Sequence, residues 1–95
     1  MSGGLPELGR FAEPSLYILV SLSEGPKHGY AIMTDVEEIS GVPLGPGTLY
    51  GALARLERLR LVDSKLSDSR ATMYRLTTLG RVAAGSASIL KGQSA

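Results

Sequence analysis

Residues 28–60 read HGYAIMTDVEEISGVPLGPGTLYGALARLERLR, and the fold turns on how this stretch is divided. In its first part, from about His28 to Ile39, the apolar residues Ile32, Val36 and Ile39 recur at i, i+4 and i+7. That spacing sets them on one face of a helix, with Asp35, Glu37 and Glu38 pointing elsewhere. In its last part, from Pro46 to about Arg60, Leu49, Leu53 and Leu56, joined by Ala52 and Leu59, form an inward stripe. Tyr50, Ala54, Arg55, Glu57 and Arg58 face outward. Pro46 suits the first position of that helix, where its missing N–H leaves no bond unmade. Between the two, residues 40–45 hold the Gly and Pro that neither helix can continue through, and Leu44 is apolar enough to plug the corner. Two amphipathic helices joined by so short a turn must bury their stripes against each other, which is a helix-turn-helix.

The flanks extend the pattern. Upstream, a helix begins near Glu13, with Pro14 in its first turn, and runs through Leu22. Apolar side chains cover most of its circumference, so it needs burial on more than one side, and Gly25-Pro26 ends it. Downstream, Val62–Leu66 and Met73–Leu76 alternate apolar and polar residues across the loop 67–72, which predicts a β-hairpin. Thr77 or Thr78 can cap a last helix reaching about Lys91, with Leu79, Val82, Ser86 and Ile89 or Leu90 in near-heptad positions. The order helix, helix, turn, helix, hairpin, helix makes the fold mainly α with a small β-hairpin. It is a winged helix-turn-helix followed by a C-terminal dimerisation helix. Residues 1–12 read as a loose arm, 13–76 as the winged domain and 77–95 as the dimerisation helix.

With 95 residues, one core must serve every function. The absence of cysteine excludes a disulfide framework, a thiolate metal site and a thiol nucleophile, and the single histidine, His28, cannot build a multi-histidine metal centre. No serine stands in a nucleophile-elbow setting, so an enzyme is not expected, nor a metal or cofactor. No stretch is apolar enough to cross a membrane, and Met1-Ser2-Gly3-Gly4 lacks the regions of a signal peptide, which predicts a soluble cytoplasmic chain. The net charge is +1, but its distribution is uneven: residues 1–44 carry −4 and residues 45–80 carry +3. A phosphate-facing surface belongs on the basic half.

Four strings carry a resemblance: Gly25-Pro26-Lys27-His28-Gly29-Tyr30-Ala31-Ile32, Gly45-Pro46-Gly47-Thr48-Leu49-Tyr50, Leu53-Ala54-Arg55-Leu56-Glu57, and Tyr74-Arg75-Leu76-Thr77-Thr78-Leu79-Gly80-Arg81. In this order and spacing they resemble the PadR family of bacterial transcriptional regulators, over about residues 14–82. The resemblance implies a homodimeric repressor or regulator that binds double-stranded DNA at an inverted-repeat operator, and in many members a small-molecule effector. The length is similar to that of the short subfamily, with one C-terminal helix. The chain departs from the family at Gly45, where a better helix cap is usual, and in a wing with few cations.

Candidate DNA-contacting residues follow. Pro46, Gly47 and Thr48 open the third helix, where free backbone N–H groups and the positive end of the helix dipole suit a phosphate oxygen. Tyr50 and Arg55 lie on its outward face, Lys65 and Arg70 on the wing, and Tyr30 takes a role near the DNA backbone from the resemblance. Each has a plainer structural reading: an ordinary helix start, a packed tyrosine ring or a solvated cation. Arg58 is expected to pair with a carboxylate, Arg75 to be solvated, and His28 to fix its local turn. Leu16 and Leu19 of the first helix, with Leu79, Val82, Ile89 and Leu90 of the last, form the expected dimerisation face. Two rival readings remain at this stage: a winged-helix module that binds protein, and a sensor whose ligand fills the dimer groove.

Overall fold

The computed structural model describes the backbone of residues 14–94 and the side chains of residues 14–86. The arm expected over residues 1–12 lies outside them. Helix α1 spans residues 14–22. It is followed by β1 (Lys27–His28), α2 (Gly29–Ser40), α3 (Pro46–Arg58), β2 (Val62–Leu66), β3 (Thr72–Leu76) and α4 (Thr78–Ser94). This is a mainly helical winged-helix fold with a small antiparallel sheet.

The ends of the helices show why the chain turns where it does. α2 closes on Gly41, whose left-handed φ of 73° lets its N–H reach the Glu37 carbonyl. The next corner is held by Glu37, whose carboxylate accepts the Leu44 N–H at 2.8 Å while Leu44 plugs the core beneath. α3 ends in a Schellman motif: the Leu61 N–H reaches the Leu56 carbonyl at 2.9 Å and the Arg60 N–H reaches that of Glu57 at 3.0 Å. Arg60 takes the left-handed position, φ 63°, that glycine usually fills. The helix is therefore shorter than its apolar period suggests. Leu59, expected inward, falls past the last turn and is exposed.

The sheet differs from the expected hairpin. It has three strands in the order β1-β3-β2, all antiparallel, with Val62 opposite Leu76, Leu66 opposite Thr72 and Lys27 opposite Tyr74. His28 leaves the expected helix start because, with Lys27, it satisfies the backbone groups on the outer edge of β3, which a two-stranded wing would leave bare. Lys27 is fastened on its far side as well. Its ammonium binds Glu24 at 2.7 Å and the Asp35 carboxylate, which also accepts the buried Ser21 hydroxyl at 2.7 Å. One lysine thus ties β1 to the end of α1 and the middle of α2.

The core draws on every layer. Ile18, Leu19 and Leu22 of α1 meet Ile32 and Val36 of α2, Leu49, Leu53 and Leu56 of α3, and Val62, Tyr74 and Leu76 of the sheet, with Ala84 of α4 at one end. Fully burying a Leu or Ile side chain is worth about 1.5–3 kcal/mol. Leu19, expected on the dimerisation face, is only 3 % exposed and belongs to this core. Its neighbour one turn earlier, Leu16, is 40 % exposed. No helix among the described residues is long and apolar enough to cross a membrane.

Candidate nucleic-acid interface

The start of α3 is open to solvent. Pro46, Gly47 and Thr48 are exposed, the N-cap residue Gly45 supplies no side-chain bond, and no acidic residue stands in the first turn. Leu49 immediately reverses into the core. The helix thus offers its first N–H groups and the Thr48 hydroxyl outward from a fixed base.

Going round α3 at 100° per residue, the stripe opposite the buried Leu49, Leu53 and Leu56 consists of Gly47, Gly51, Ala54 and Arg58, with Thr48 and Arg55 on one flank and Tyr50 on the other. A Cβ added at Gly47 or Gly51 would meet nothing within 4 Å. Neither glycine is demanded by packing within the chain, and a helix with such small residues on its outermost stripe can bring its backbone close to another surface. The sequence places Ala54 outward, but neither it nor Gly51 stands among the expected contact residues. The signal was available in their i, i+4, i+7 spacing from Gly47.

Tyr50 does more than face outward. Its ring is 49 % exposed, yet its hydroxyl rests against the start of α2, where a Cβ on Gly29 would lie 2.5 Å from it. Gly29 is the residue that makes room. The next residue along, Tyr30, is 75 % exposed, one of the most exposed large side chains among the described residues. Behind them, burial first, then the neighbouring Tyr50 and Glu57, push the Tyr74 phenol above its usual range. The start of α2 is also tied to the sheet: the His28 ring nitrogen Nδ1 donates to the Thr72 carbonyl at 3.1 Å. His28 therefore links α2 to β3 across the chain and not merely its own turn. Tyr50 and the base of the wing thus both meet the chain at His28–Gly29.

The wing is a hairpin whose loop is closed by Arg70 N–H to the Ser67 carbonyl at 2.9 Å and Ser67 N–H to the Ala71 carbonyl at 2.9 Å. Arg70 occupies the left-handed position at its tip, φ 67°. Lys65 and Arg70 are both exposed. The ion pairs among the described residues include neither of them, nor Arg55, nor Arg58, so the carboxylate partner expected for Arg58 is not found. Arg75, expected to be solvated only, stands 3.6 Å from Asp63 across the strands, an exposed contact worth little.

On α1 and α4, Leu16, Leu79 and Val82 remain outside the core, the last two 56 % and 65 % exposed. Ile89 and Leu90 belong to α4, but their side chains lie outside the described residues.

The profile of the transcriptional regulator PadR-like family matches residues 18–86. An uncharacterized 37.1 kDa protein in transposon TN4556 of Streptomyces fradiae is 46 % identical over 72 residues, which are 76 % of this chain and 21 % of that protein. The chain thus spans about a fifth of that relative's length. Among solved structures, RosR of H. salinarum superposes with a TM-score of 0.71 at 33 % identity, covering 77 % of this chain and 66 % of its own. A PadR family transcription regulator from Clostridium difficile R20291 superposes with a TM-score of 0.72 at 30 % identity, over 85 % of this chain and 84 % of that one.

Proposed function

Because the chain belongs to the PadR-like family of transcriptional regulators, and so to a family of DNA-binding proteins, we propose that it acts as a homodimeric repressor that binds an inverted-repeat operator. In this reading α3 lies in the major groove, the wing reaches the flanking backbone, and α1 with α4 forms the two-fold interface. The observation that carries it is the construction of α3: one face locked in the core by Leu49, Leu53 and Leu56, the other smooth at Gly47 and Gly51 and cationic at Arg55 and Arg58. Thr48 and the N–H groups of the first turn hold a phosphate, Tyr50 on the opposite flank of α3 and Tyr30 at the start of α2 contact the DNA backbone, and the arginines reach toward base edges or backbone.

The exposed Leu16, Leu79 and Val82 support the dimer, because a domain this small gains core by covering them with a second copy. Titration of a duplex carrying the operator, repeated across a salt series, tests the proposal. With so few cations on this surface, the slope of log affinity against log salt should correspond to about 4 to 8 phosphates per dimer at about 0.9 each. Sedimentation equilibrium should give a dimer at micromolar concentration. Affinity that does not change with salt, or a monomer at tens of micromolar, contradicts it.

A further inference from the structure

The first turn of α4 is joined to the end of α3 by a dense set of bonds. After the Schellman motif, the left-handed Arg60 swings the chain so that the carbonyls of Arg60 and Leu61 face α4. The Leu61 carbonyl accepts the Thr77 N–H at 3.1 Å. The Thr77 hydroxyl donates to the Arg60 carbonyl at 2.7 Å and accepts the Gly80 N–H at 2.9 Å, so one side chain both caps α4 and ties it to α3. Gly80 completes the joint. It is buried, and a Cβ there would overlap the Leu61 carbonyl oxygen and lie 2.9 Å from its carbon, backbone that cannot give way as a side chain would.

Resting on the dimeric operator-binding reading above, we infer that this joint, Arg60–Leu61 against Thr77–Gly80, fixes the angle between the reading helix and the dimerisation helix, and with it the spacing of half-sites that the dimer accepts. Thr77 and Gly80 are positioning residues for operator spacing. Neither needs to touch DNA. The lever is long: α4 has 17 residues. A swing of about 10° at one end of a helix about 25 Å long moves the other end by about 4 Å, more than the rise of about 3.4 Å per base pair. Holding one spacing therefore requires that such a swing be suppressed. Backbone contact at Gly80 and a shared hydroxyl at Thr77 remove it.

The test uses the full chain and a series of duplexes in which the two half-sites are moved apart or together one base pair at a time. Wild type should show a single spacing optimum. Thr77→Val, which keeps the shape and loses the hydroxyl, and Gly80→Ala should each remain dimeric by sedimentation. Each should lose about tenfold in affinity at the wild-type spacing while losing less, or gaining, at neighbouring spacings. Thr77→Ser should restore the wild-type profile. A purely stabilising role predicts equal weakening at every spacing, and that outcome, or an unchanged profile, overturns the inference. If Gly80→Ala does not fold, Thr77→Val decides, and failure of both to fold also overturns it. A wild-type protein that dimerises and binds DNA with no spacing optimum overturns the inverted-repeat reading together with this one. A spacing preference as sharp in the variants as in wild type, and at the same optimum, overturns this one alone.

Discussion

Arg70 illustrates how much one residue's backbone can reveal about its role. At the tip of the wing it holds a φ of 67°, where an L-residue meets strain that glycine escapes, so its side chain is kept there against a local cost. Arg70→Gly should therefore raise stability by about 0.5–1 kcal/mol while weakening operator binding, and should lower the salt slope by about 1–2 per dimer. Chemical denaturation and a salt titration of the same sample check this. A variant that loses stability contradicts the strain at this position, and one that keeps full affinity removes the wing from the interface. Asp35 is the counterpart inside the fold. The Lys27 hydrogen bond first, and then that of Ser21, hold its carboxyl below the ordinary 3.8. Folded Asp35 thus keeps its charge to lower pH than the unfolded chain does, and its contribution is full above about pH 4 and lost as the pH falls through the folded value. For Lys27 burial works against the charge, but Asp35 and Glu24 outweigh it, and its value stands above 10.5. That contribution is full below 10.5 and fades as the pH rises through the raised value. Asp35→Asn should cost about 1–3 kcal/mol at neutral pH. The gap from wild type should narrow at pH 3, as urea unfolding at the two pH values would show. An equal gap at both contradicts the pairing.

At the scale of elements, the central contrast is between neighbours on α3. Thr48 is exposed and Leu49 is 1 % exposed, so one turn of helix serves the surface and the core by alternate residues. Leu49→Ala should lose about 2–5 kcal/mol of stability, whereas Thr48→Ala should keep the fold and lose about 1 kcal/mol of DNA binding. Equal loss of stability would mean that the two faces are misassigned. This contrast was legible in the sequence, because the period of leucines in α3 is strict and its turn is built of Gly and Pro. Other elements were not. β1 is two residues long and carries no period, and only its partner strand, more than 40 residues later, makes it a strand. α1 is apolar nearly all round, so periodicity could not tell Leu19, which its own core takes, from Leu16, which it leaves out. The seat of the Tyr50 hydroxyl on Gly29 and the bond from His28 to Thr72 join residues far apart in the chain, and no local pattern encodes them. Leu59 was misread because the helix stops in a Schellman motif built on an arginine, where the glycine that usually signals the stop is missing.

For the molecule as a whole, the pieces form one chain of support. The core fixes α3, the start of α2 gathers Tyr50 and the wing around His28, and the joint at Thr77 and Gly80 carries α4. Small exposed faces on α3 and on α4 are then presented in a set relation. The same relation, doubled by a two-fold axis, would place two reading helices on one side of a duplex. Selection of bound fragments from a random duplex library tests this account most directly, since it assumes neither a sequence nor a symmetry. The account predicts enrichment of an inverted repeat whose half-site centres lie about one helical turn, 10–10.5 base pairs, or a multiple of it apart. Recovery of no common site, or of a single unrepeated half-site, would contradict it.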